Sequence, residues 1–97
     1  MLTHIVCWKY KPDATPEQRQ EHIARLWALP DLIPNIISFN VGADILHLER
    51  SFDTAIIAVY PDLEALDVYT NHPEHLEVIA IGKLIAAKVV SVDFVDE

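Results

Sequence analysis

The chain predicts an α+β fold of the split β-α-β kind, a four-stranded antiparallel sheet with helices on one face. Three observations predict it. Strand-like alternation opens the chain at Leu2–Tyr10 and closes it at 87–95. A helix-opening signature, Thr15-Pro16-Glu17-Gln18, follows the first strand. Two apolar, β-branched runs then stand in succession before a second helical segment, which completes the order β-α-β-β-α-β.

In the first strand Leu2, His4, Val6, Trp8 and Tyr10 share one face, and Thr3, Ile5, Cys7 and Lys9 the other. Both faces carry apolar groups, which suits a strand covered on two sides. The first helix has Thr15 as N-cap, Pro16 at its first position and Gln18 closing a capping box. Its predicted inward stripe is Ile23, Leu26, Trp27 and Leu29, and Pro30 and Pro34 are expected to stop it. The second strand is predicted over 36–45, with Gly42 suited to a bulge or a close backbone approach. The third is Thr54–Tyr60, ended by Pro61. Asp62 then caps a short helix with Leu63, Leu66 and Tyr69 or Thr70 inward. After a break at His72-Pro73 the helical pattern resumes over 73–86 through Leu76, Ile79, Ala80, Lys83 and Leu84, with Gly82 as a weak point. This is the ferredoxin-like arrangement.

Helices on one face leave the other uncovered. That face is expected to hold Ile5, Ile57, Val89 and either Phe39 or Val41, and stacking on a second copy covers it at least cost, so a homodimer is predicted. The composition agrees: 52% of the 97 residues are hydrophobic, a high share for one small domain, here taken as 1–97. Seven basic residues against fifteen acidic ones, a net charge of −8, form no basic stripe, which argues against nucleic acid and anionic membranes as partners. The opening run lacks the charged leader and cleavage site of a signal peptide, and the single cysteine, Cys7, has no partner in the chain for a disulfide. A cytoplasmic protein with no cofactor is expected.

The chemistry concentrates in Tyr69-Thr70-Asn71-His72-Pro73-Glu74-His75. His72 precedes a proline and is driven out of the α region, so one helix ends there and Pro73 opens the next. Tyr69 and His75 then lie on opposite sides of a bend and can converge on one pocket. Imidazole titrates near neutrality, so His75 is a candidate general base, and Tyr69 can donate to a carbonyl oxygen that gains charge as a proton leaves. The plainer alternative is that both rings only satisfy backbone groups freed at the break. His72 reads as a cap. His4 reads first as a satisfied core histidine and second as a ligand contact. A metal held by His72 and His75 at i,i+3 is a weak signal without a third ligand. Trp8, Trp27, Phe39, Tyr60 and Tyr69 either line an aromatic-binding cavity or form ordinary core.

Taken together, the opening Met-Leu-Thr-His-Ile-Val-Cys-Trp-Lys, Gly42, the run Leu-Asp-Val-Tyr-Thr-Asn-His-Pro-Glu-His and the closing Val-Val-Ser-Val-Asp-Phe resemble the stress-responsive A/B barrel (Dabb) family over nearly the whole chain. The resemblance implies a dimeric α+β barrel. Members include stress-induced plant proteins and a polyketide cyclase. Carried over by motif, the cyclase's acid–base pair falls on Tyr69 and His75 and its strand-one histidine on His4. The expected ligand is a small apolar or aromatic, polyketide-like molecule, and the expected chemistry is cofactor-independent cyclisation or isomerisation. The rivals are a non-catalytic stress-associated binding protein and, by fold analogy, a cofactor-free monooxygenase.

Overall fold

The computed structural model describes residues 1–96. Its elements run β1 (Leu2–Tyr10), α1 (Pro16–Leu32), β2 (Ser38–Ala43), β3 (Thr54–Tyr60), α2 (Leu63–Asn71), α3 (Pro73–Ile85) and β4 (Ala86–Val95). One four-stranded sheet, ordered β2-β3-β1-β4 with every neighbouring pair antiparallel, carries the three helices on one face. The ferredoxin-like fold expected from the element order is present.

The predicted helix starts hold. Thr15 accepts from Gln18 N while the Gln18 side chain accepts from Thr15 N, a reciprocal capping box, and Asp62 accepts from Ala65 N. Pro30 does not stop α1, which continues to Leu32 with Ile33 N bonded to Leu29 O. A proline in the last turn forfeits one bond there without ending the helix.

The inward stripes differ from those predicted. On α1 it is His22, Leu26 and Leu29 that are buried, at spacings of four and three, while Trp27 is 48% exposed. On α2 the buried set is Ala65, Leu66 and Tyr69, with Leu63 and Thr70 in solvent. On α3 it is Val78, Gly82 and Ile85, with Leu76, Ala80 and Leu84 exposed. Polar His22 and side-chain-free Gly82 carry no weight in a pattern built on apolar letters. They nevertheless pack together, because a Cβ on Gly82 would lie 3.1 Å from His22 Nε2. Gly82 is therefore a contact point between α1 and α3.

The strands show a parallel correction. β2 is shorter than predicted and pairs with β3 in unbroken register, so Gly42 forms no bulge, and nothing lies within 4 Å of its would-be Cβ. The register shift is between Lys9 and Tyr10, where β1 meets β4. Cross-strand partners share a face. Val89, paired with Trp8, thus belongs to the helix side, and so do Phe39 and Val41, which pack with the main core. The uncovered face does hold the expected Ile5 and Ile57, together with Cys7, Val90, Val92 and Phe94; Ile57, Val90, Val92 and Phe94 are 40–52% exposed. Among the described residues no helix is long and apolar enough to cross a membrane.

Candidate functional site

The break at Pro73 builds the site. His72 adopts φ −66° and ψ 135°, ending α2 and capping α3: its N–H donates to Tyr69 O at 3.2 Å and its Nδ1 accepts from Glu74 N at 3.2 Å. This is the capping role read from the sequence. The bend brings Tyr69 and His75 face to face, with ring centroids 4.2 Å apart and planes tilted by 35°.

Both rings open onto a cavity of about 330 Å³ between α3 and the sheet, and His4, Trp8 and Ser91 line it too. A larger hollow, about 500 Å³, lies on the bare sheet face over Ile5, Cys7 and Ile57. It is a wide concavity in the uncovered surface and holds none of the tyrosines or histidines that could move a proton.

His75 donates through Nδ1 to Thr70 O at 2.9 Å. A carbonyl can only accept, so Nδ1 carries the hydrogen and Nε2 is left as the acceptor of the neutral ring. Burial lowers the His75 pKa, and the nearby His4 and His72 rings push it the same way against the pull of the Thr70 carbonyl. At neutral pH it is an uncharged base.

Tyr69 is 1% exposed and its hydroxyl has no hydrogen-bond partner. Tyr60, its ring centroid 5.3 Å away, is equally buried and equally unpartnered. The two phenols sense each other's charge, but no hydrogen bond of ordinary geometry joins them. Burial, the largest cause, pushes both well above the usual phenol range, so both remain O–H donors. A buried, unpaired hydroxyl costs about 1–3 kcal/mol. Tyr69 lines the cavity, and a ligand acceptor that reached its hydroxyl would supply the partner it lacks.

His4 is a satisfied histidine, as the plainer reading has it, and it also lines the cavity. Its Nδ1 meets the carboxylate of Asp93, its cross-strand partner on β4, and its ring stands 6.1 Å from Tyr69 and 6.2 Å from Tyr60. A carboxylate acceptor fixes the hydrogen on Nδ1 and orients the ring. Asp93 went unnoticed in the sequence, although it is the lone acid inside the mostly apolar final strand.

His22 was also missed. Fully buried, it shares a 2.7 Å hydrogen bond between Nδ1 and Tyr10 Oη, stands edge-on to Trp8 at 4.9 Å, and leaves Nε2 without a partner. Burial pushes its pKa down to about 4. Of the five aromatics weighed for the cavity, Trp8 and Tyr69 line it, Phe39 and Tyr60 belong to the core, and Trp27 stands in solvent away from it.

The family model for the stress responsive A/B barrel domain matches residues 2–96. The chain belongs to that family. None of the curated proteins matches this A/B barrel domain, but many solved structures do. A dimeric ferredoxin-like protein of unknown function from Thermobifida fusca is 29% identical, with 96% of this chain and 88% of that one covered and a TM-score of 0.88. The hydroxynitrile lyase of Passiflora edulis is 19% identical over 99% of this chain and 93% of its own, with a TM-score of 0.87. SnoaB, a cofactor-independent oxygenase from Streptomyces nogalater, is 14% identical over 99% and 92%, with a TM-score of 0.77. The last two similarities establish the shared fold alone.

Proposed function

We propose that this A/B barrel protein acts as a homodimer whose subunits each bind a small apolar or aromatic carbonyl compound and move a proton next to that carbonyl without a cofactor. The observation that carries the reading is the pairing, among the residues that line one cavity, of a neutral histidine whose Nε2 is the ring acceptor with a tyrosine whose buried hydroxyl has no partner. His75 removes the α-proton. The C–H electrons pass into the enolate, and its oxygen accepts a hydrogen bond from Tyr69. The imidazolium that forms keeps its Nδ1 hydrogen on Thr70 O, a contact that favours the charged ring. His4, oriented by Asp93, stands beside Tyr69 as a further polar contact for the carbonyl end.

Dimerisation is supported by the bare apolar sheet face and by the dimeric state of the Thermobifida relative. A non-catalytic binding protein is the second reading, favoured by the His75 bond to the backbone; the unpaired Tyr69 hydroxyl weighs against it.

Exchange of solvent deuterium into an aryl β-diketone tests the proposal, because exchange needs proton removal and no completed turnover. The wild type should accelerate exchange, and His75→Gln should lose most of that acceleration while remaining a folded dimer. Equal exchange by both proteins removes the mechanism; ligand binding without any acceleration leaves the binding protein.

A further inference from the structure

The cavity has two unlike ends. On α3, His75, Ile79 and Lys83 follow one another at spacings of four and all line it, so its helical wall runs about 12 Å from the first to the last at 1.5 Å per residue. On β1, His4, Val6 and Trp8 line the opposite wall, and four residues of strand span about 13 Å. The two lengths agree. The two walls are also in step, since Trp8 Nε1 would lie 3.6 Å from a Cβ on Gly82, the neighbour of Lys83. The result is a trough with the proton-handling groups at one end and an indole beside a lysine at the other.

Among the described residues, Lys83 is the one Lys or Arg side chain that lines the trough. Of the other six, Lys9 and Lys11 donate to the carbonyls of Ser51 and Leu84, Arg19 approaches Asp53 and Arg25 approaches Glu21, while Arg50 and Lys88 are unpaired among the described residues but do not line the trough. Lys83 makes no hydrogen bond or ion pair among the described residues. A cation in the last turn of a helix is favoured by the dipole, but that attraction is indifferent to the helix face. It does not account for a lysine on the stripe that carries His75. In a chain of net charge −8, an ammonium at the end of an apolar trough is a local sink for negative charge.

We infer that the ligand is elongated and bears an anionic group at the end opposite its carbonyl, and that Lys83 reads that group. The inference rests on the proposed function for the position of the carbonyl. It adds the substrate class: an acid whose apolar body separates the charge from the reacting ketone. A carboxylate and a phosphate monoester offer Lys83 the same chemistry.

The test is binding of ω-phenyl-ω-oxoalkanoates of increasing length to the intact protein, against their uncharged methyl esters and their phosphonate analogues. For the length that fits, the acid should bind about three- to tenfold more tightly than its ester, and the preference should shrink with added salt. Whichever acid is preferred identifies the headgroup. Lys83→Met, which keeps the apolar stem, should leave ester affinity unchanged and abolish or reverse the preference; Lys83→Arg should retain it. Acid and ester binding alike, or a preference that survives Lys83→Met, overturns the inference and leaves the carbonyl site standing. If neither binds, the carbonyl reading itself falls.

Discussion

Acidification should weaken the fold through His22, and the structure sets how much. The ring is fully buried against Trp8 and Tyr10 and held neutral, with a pKa of about 4 against an ordinary 6.5. Between those values the unfolded chain binds a proton that the folded one refuses. Stability is therefore complete above about pH 6.5 and falls as the pH drops towards 4. At about 1.4 kcal/mol per pH unit the whole window is worth about 3 kcal/mol, a large part of the roughly 5–15 kcal/mol that holds a domain folded. Acidifying from neutrality to about pH 5.5 should realise about 1 kcal/mol of it. His75, also lowered, acts in the same direction, so a variant is needed to isolate His22. His22→Asn keeps a hydrogen-bonding atom for Tyr10 Oη but does not titrate. Urea unfolding followed by tryptophan fluorescence, at one fixed protein concentration because a dimer unfolds by mass action, gives stability against pH for both proteins. The wild-type curve should fall more steeply than the variant's below about pH 6.5. Parallel curves would refute the reasoning, because they would mean that His22 takes up its proton without leaving its place.

Tyr69→Phe removes a buried hydroxyl that has no partner, so stability should stay level or rise by up to about 1 kcal/mol, while deuterium exchange into a bound diketone falls about a hundredfold. Chemical denaturation and exchange measured together separate this from general damage. Gly82→Val places three carbons where even one would sit 3.1 Å from His22 Nε2, and should lower the unfolding free energy by about 1–3 kcal/mol in urea melts. The pH profile of exchange should show an acid limb below the ordinary histidine value of 6.5, since burial lowers His75 and the neutral ring is the base. It should show no loss on the alkaline side until beyond the ordinary phenol value of 10, since Tyr69 holds its proton.

Much of the scaffold was legible because it is set by local chemistry. Capping groups at Thr15 and Asp62, the His72-Pro73 break and the β-branched run at Thr54–Tyr60 act within a few residues of themselves, and the structure has each in its expected place. What failed depended on packing between elements. His22 and Gly82 reach the core as a matched pair, a ring filling the space that a missing Cβ leaves, and neither half shows its worth alone. The faces of Phe39 and Val89 were mistaken because register decides them, and register comes from pairing across the sheet. At the candidate site, Tyr69, His75 and His4 were all legible as residues, and all three line one cavity. Asp93 became visible only once β4 was laid against β1, and Lys83 gained a direction only with the stripe that it shares with His75.

Intermolecular NOEs from a bound aryl ketone, read with the nitrogen shifts of the histidine side chains, test the shared hollow most directly. The ketone should contact Tyr69, His75, His4 and Trp8 together, with His75 Nδ1 protonated and its Nε2 an acceptor at neutral pH. Contacts confined to Ile5, Ile57 and the other residues of the bare sheet face, or a His75 ring with its hydrogen on Nε2, would contradict it.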